Sequence, residues 1–93
     1  MVVGVLELEI QLFSSNSLKE KRRTVKSLIT RIRNNFNVSA SEIGHQDLWQ
    51  KTLIGVAFIA AERRFSQSVL SKVVEFVKKE RRISLINSKM EIF

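Results

Sequence analysis

Hydrophobic and polar residues alternate from the start of the chain. Leu6, Leu8, Ile10 and Leu12 point one way, and Glu7, Glu9 and Gln11 point the other. A period of two with one polar face predicts a half-buried strand over residues 2–13. The period then changes. After a turn cluster at residues 14–16, Ser17 opens a capping box with Glu20. The hydroxyl can accept from the Glu20 amide while the carboxylate reaches back. Leu18, Val25, Leu28, Ile29, Ile32 and Phe36 follow at helical spacing, in a stripe about 100° wide. Asn34, Asn35 and Asn37 tolerate the left-handed stop, so the spacing predicts a helix over 18–35. A short, weakly apolar strand follows over 37–43, then a polar turn over 44–50. Residues 52–61 are apolar at nearly every position, which predicts a central strand. Residues 62–65 read as a turn. Val69, Leu70, Val73, Val74, Phe76 and Val77 mark a second amphipathic helix over 66–82, and residues 84–93 read as a more polar strand.

The order β-α-β-β-α-β predicts a ferredoxin-like α+β sandwich, a four-stranded antiparallel sheet with both helices on one face. In that arrangement the first and third strands are central. Their apolar character agrees with this, and so do the polar residues of the other two: Asn37, Ser39, Ser41 and Glu42 in the second, Asn87, Ser88, Lys89 and Glu91 in the fourth. Polar edges discourage pairing with neighbouring molecules.

Composition narrows the class. Ninety-three residues, 44% of them hydrophobic, supply one core, so residues 1–93 are expected to form a single domain. No apolar run reaches the roughly 18 residues of a bilayer span. Glu7 and Glu9 follow a start with no basic residue, which does not fit a signal peptide. A cytoplasmic protein without a membrane partner is the expectation. The absence of cysteine excludes disulfides, thiolate zinc sites, iron–sulfur clusters and a cysteine nucleophile. With one histidine besides, no metal or cofactor is expected.

Charge adds a direction. The net charge is +7, and the excess lies in the two helical segments: +6 over residues 17–35 and +5 over 63–82. If both helices cover one sheet face, that side is basic and suited to polyanions. On the first helix Lys19, Arg22, Lys26 and Arg33, with Arg23 beside them, share one flank at 100° per residue. Lys19, Lys21, Arg22 and Arg23 also crowd its first two turns, where the macrodipole disfavours cations by about 0.3–1 kcal/mol each. A solvated helix face gives the same residue count, but a bound phosphate would relieve this local conflict. The second helix is blander, because Glu75 is placed to pair with Lys79 at i+4.

Few residues carry catalytic chemistry. His45 and Asp47 lie two apart in the polar turn and could orient each other. The competing reading is a hairpin whose polar residues bond locally, with Trp49 anchoring it on the sheet. RNA-recognition domains share the element order but stack bases on aromatics of the first and third strands. Here that sheet face carries Glu7 and Glu9, and the third strand has only Phe58, so any nucleic acid should meet the helices. Acylphosphatases use an arginine-bearing phosphate loop after the first strand and an asparagine on the third. Phe13-Ser14-Ser15-Asn16 has no arginine or glycine, and residues 52–61 have no asparagine.

Ser17-Leu18-Lys19-Glu20-Lys21-Arg22-Arg23, Lys26-Ser27-Leu28, Arg33-Asn34-Asn35-Phe36-Asn37-Val38-Ser39, Gln46-Asp47-Leu48-Trp49-Gln50 and Leu53-Ile54-Gly55 occur in this order. Together with Val3-Gly4-Val5-Leu6-Glu7-Leu8 they make the chain resemble the YlxP-like family of small bacterial proteins over essentially its whole length. Ala40-Ser41 and Lys51 depart mildly from the family's pattern. The resemblance implies a cytoplasmic ferredoxin-like domain of unestablished role, with no catalytic residues. The family's genes often lie beside those for translation and ribosome-maturation factors, which implies an RNA-associated setting.

The combined expectation is a non-enzymatic RNA- or ribosome-associated module. Lys19, Arg22, Arg23, Lys26 and Arg33 would contact phosphate, and the turn of His45, Gln46, Asp47 and Trp49 would add contacts. The alternative is a homo-oligomeric interaction module without nucleic acid. It would use the sheet face that carries Val3 and Val5 and one face of the third strand.

Overall fold

The computed structural model describes every residue except Ser14. The turn expected at 14–16 is therefore described only from Ser15 onward. The alternating segment forms β1 (Val2–Leu12), and the capped segment forms α1 (Leu18–Asn35). They are followed by β2 (Ser39–Gly44), β3 (Lys51–Ala60), α2 (Arg63–Lys78) and β4 (Ile83–Ile92). The sheet order is β2-β3-β1-β4, and each neighbouring pair is antiparallel. The fold is the ferredoxin-like α+β arrangement that the periodicity predicts, with β1 and β3 central.

The register fixes which face is which. Leu6 lies opposite Val56, Leu8 opposite Ile54 and Ile10 opposite Thr52, and all six are buried beneath the helices. Val25, Leu28, Ile29 and Ile32 from α1, and Leu70, Val73 and Val77 from α2, complete the core. Full burial of each such aliphatic side chain stabilises the fold by about 1.5–3 kcal/mol. On the other sheet face, Val3, Val5, Glu7 and Glu9 lie opposite Ile59, Ala57, Gly55 and Leu53. Gly4 lets α2 close onto β1. A Cβ there would come within 2.2 Å of Ser66 Oγ and 2.7 Å of Leu70 Cδ1.

The element ends show where side chains override periodicity. Ser17 Oγ accepts from the Glu20 amide at 3.1 Å, as the capping box requires. The Glu20 carboxylate, however, accepts from the amide of Asn16, one residue before the cap, also at 3.1 Å. The second helix is displaced from the expected 66–82. It begins at Arg63, with Glu62 in extended conformation as a cap that makes no side-chain bond. It stops at Lys78 because the Glu80 carboxylate accepts from the backbone amide and the guanidinium of Arg82, turning the chain.

Candidate nucleic-acid interface

Helical periodicity sets five cations on one flank of α1, and of these Arg22, Lys26 and Arg33 lie toward the edge strand β2. Lys19, Arg22, Arg23, Lys26 and Arg33 are all exposed. An open groove of about 360 Å³ runs between α1 and β2, and its walls include Arg22, Lys26, Arg33, Ser41 and Glu42. Among the described residues, no carboxylate forms an ion pair with any of the five. Arg33 alone has an internal bond. Its guanidinium donates to the carbonyl of Ala40 at 2.5 Å and ties the end of α1 to the edge strand. The chemistry available along this flank is the binding of several phosphates, with Arg33 also holding the groove's shape.

Lys21 belongs to a different structure. It is fully buried. Its ammonium lies 2.8 Å from the Glu42 carboxylate and donates to the carbonyl of His45 at 2.7 Å. Glu42 also accepts from the Thr52 hydroxyl at 2.6 Å. The cation crowding expected over the first two turns of α1 is thus reduced by one, and the acid wall of the groove is already neutralised. The signal was present in the sequence, because Leu18, Lys21, Val25 and Leu28 recur at the spacing of the buried stripe. Lys21 pins the β2–β3 turn beneath the start of α1.

That turn differs from the expectation in two respects. His45 adopts a positive φ of 57°, and its Nε2 lies 3.3 Å from the Glu9 carboxylate rather than beside Asp47. The His45–Asp47 pair is not assembled. Trp49 does not anchor the turn on the sheet either, since 53% of it is exposed. Gln46 and Asp47 are likewise exposed. Among the described residues, no group of three or more histidine and acidic side chains is placed to hold a metal ion.

A second basic groove, between α1 and α2, was not singled out by the sequence. Its walls include Arg31, Lys79, Glu80, Arg81 and Arg82. Here two of the four cations, Arg31 and Arg82, share one acid, while Lys79 and Arg81 have no carboxylate partner among the described residues. Glu80 forms an ion pair with Arg31 and another with Arg82 at 3.1 Å. The Arg82 guanidinium beside it, helped by Arg31 and the Arg82 amide, holds the Glu80 carboxyl down to about 2, although burial pushes it upward. On the outer face of α2, Glu75 lies 3.7 Å from Lys78, one turn position earlier than the Lys79 expected.

These features define a ferredoxin-like α+β domain with one basic flank whose cations have no carboxylate partner among the described residues. The chain belongs to the family described as protein of unknown function (DUF503), whose pattern matches residues 3–90. It is similar to the uncharacterized protein YlxP of Bacillus subtilis (strain 168), with 42% identity over 76 residues, 82% of this chain and 83% of that protein. The YlxP-like resemblance read from the sequence is therefore correct. No helix among the described residues is long and apolar enough to cross a membrane.

Proposed function

We propose that the protein is a non-enzymatic, cytoplasmic RNA- or ribosome-associated module that binds phosphates along the β2-facing flank of α1. One observation carries this reading: Lys19, Arg22, Arg23 and Lys26 are exposed on one flank with no counter-ion among the described residues. Such a set, left unmatched beside a groove, attracts a polyanion by charge and releases its counter-ions on binding. The His45–Trp49 turn, held near the start of α1 by Lys21, is placed to add contacts at that end. Centrifugation of cell extract in low salt tests the reading. The protein should travel with ribosomal or other RNA-bearing particles, and ribonuclease should release it. Migration as a free small protein in untreated extract would overturn it.

A second reading draws on the open sheet face. Val3, Val5, Leu53, Ala57 and Ile59 lie there uncovered by any helix, and Ile59 is 65% exposed. Acids and bases are nearly balanced on this face, whereas the helix side is strongly basic. A second copy of the chain would meet least repulsion there, in an isologous dimer. Sedimentation equilibrium should show a dimer that Val5→Lys separates, because the substitution buries an unpaired charge. A monomer at high micromolar concentration would exclude this reading and leave the first untouched.

A further inference from the structure

The basic groove does not end at Arg33. Arg33 also lines a second groove, which includes Asn37, Ala57 and Ile59. Asn37 in turn lines a third, a cavity of about 480 Å³ where the end of α1 meets the start of α2. The shared walls make one path that leads from the cations of α1 round its C-terminal end. The character of the path changes along it. The last cavity is walled by Phe36, Phe58 and Phe65, with the amides of Asn35 and Asn37 and the ammonium of Lys72 around them. Phe58 packs against Phe65 at 5.6 Å between ring centroids, in an edge-on arrangement. Phe58 is nearly buried, but 57% of Phe65 remains exposed. A phenyl ring this open on a basic protein, supported from behind by a second aromatic, is an uncompensated apolar surface.

We propose that this cavity receives an unpaired nucleobase of the same RNA strand whose phosphates lie along α1, with Phe65 as the stacking platform. The inference rests on the phosphate-binding reading and adds to it the substrate class: single-stranded rather than duplex RNA. Aromatic rings stack on unpaired bases because every base has a π-face, and a duplex offers none to the side. The side-chain amide of Asn37 carries donors and an acceptor that suit the edge of a base, and Asn35, whose Nδ2 donates to the Arg31 carbonyl at 2.8 Å, keeps its second N–H and its oxygen for the same use. Lys72 and Arg33 stand where the phosphates on either side of that base would pass. From Arg22 to Arg33 the helix rises about 16 Å, at 1.5 Å per residue. A strand of a few nucleotides spans that distance.

Two probes of equal length separate the two claims. One is a ten-nucleotide oligoadenylate; the other is the same ribose-phosphate chain without bases. Both should bind the full-length protein, the oligoadenylate more tightly. Phe65→Ala should weaken the oligoadenylate by roughly tenfold and leave the abasic chain unchanged, whereas Phe65→Trp should keep the preference. Because Phe65 is mostly exposed, melting temperatures of these variants should stay near that of the wild type. Equal affinity for both probes, or equal loss of both in Phe65→Ala, would overturn the base pocket alone. Failure of both probes to bind the wild type would overturn the phosphate reading and the base pocket with it.

Discussion

Two grooves flank α1, and arginine and lysine line both of them. Between α1 and α2, Glu80 sits between Arg31 and Arg82 and engages both. Between α1 and β2, the acid within reach is Glu42, and it is already held by Lys21 and Thr52. In the first groove Glu80 ties Arg31 and Arg82 into a network that joins the helices to the turn before β4, and only Lys79 and Arg81 are left without a carboxylate partner among the described residues. The second presents cations that no carboxylate among the described residues pairs with. Counting Lys and Arg by segment makes the two helices look nearly equal, at +6 and +5. The position of two glutamates makes them different. Availability of a charge depends on its partners, not on its number.

Breaking the matched charges should cost stability, and breaking the unmatched ones should not. The largest effect is expected at the buried pair. Glu42→Ala leaves the Lys21 ammonium buried without its counter-ion, and loss of one member of such a pair costs about 3–5 kcal/mol in chemical denaturation. Lys21→Met with Glu42→Leu should recover most of that loss, because two apolar residues need no charge pairing. An effect of Glu42→Ala below about 1 kcal/mol would show that this network does not hold the turn.

The next effect belongs to Glu80. Glu80→Gln removes a carboxylate that accepts from Arg82 and Arg31, and should cost about 1–3 kcal/mol at neutral pH. The pH dependence has a definite sign. Arg82 and Arg31 lower the Glu80 carboxyl from 4.5 to about 2 in the folded protein. Its stabilisation is therefore fully present above the unfolded value and is lost as pH falls from about 4.5 toward 2. Denaturation midpoints of the wild type should fall over that interval, and Glu80→Gln should flatten the fall. Parallel acid profiles of the two proteins would contradict the pairing.

The smallest effect on stability is expected on the β2 side. Arg22→Gln with Arg23→Gln removes exposed cations near the positive end of the helix dipole. The melting temperature should stay unchanged or rise, with a change of a few tenths to about 1 kcal/mol in favour of folding. A clear loss of stability would mean that these arginines support the fold and are not free for a ligand.

The sequence made the sheet order legible because β1 and β3 differ from β2 and β4 in apolar content as well as in period. It also placed the exposed flank of α1, since 100° per residue needs no tertiary information. That same spacing puts Lys21 inside the apolar stripe and Arg22 outside it. What it could not supply was the partner, since Glu42 meets Lys21 only when α1 lies over β2. His45 was ambiguous for a similar reason. Its contact, Glu9, comes from a strand 36 residues earlier in the chain, across the sheet. The start of α2 was misplaced because Glu62 caps it through its backbone carbonyl alone, and its end because Glu80 acts through contacts that leave no periodic mark. The aromatic cavity went unread because Phe36, Phe58 and Phe65 come from three elements that meet only in the folded chain.

The central claim is that the unmatched cations of α1, and not the matched ones, hold phosphate. The salt dependence of binding to a single-stranded RNA tests it most directly. With about four phosphates engaged, log affinity against log salt should have a slope near −3, from about 0.7 per phosphate. Arg22→Gln with Arg23→Gln should flatten the slope by about 1.4, for every RNA sequence alike. Arg31→Gln with Arg82→Gln, an equal loss of charge among the cations that Glu80 pairs, should leave it near −3. Equal flattening by the two double variants, or no flattening by the first, would contradict the account.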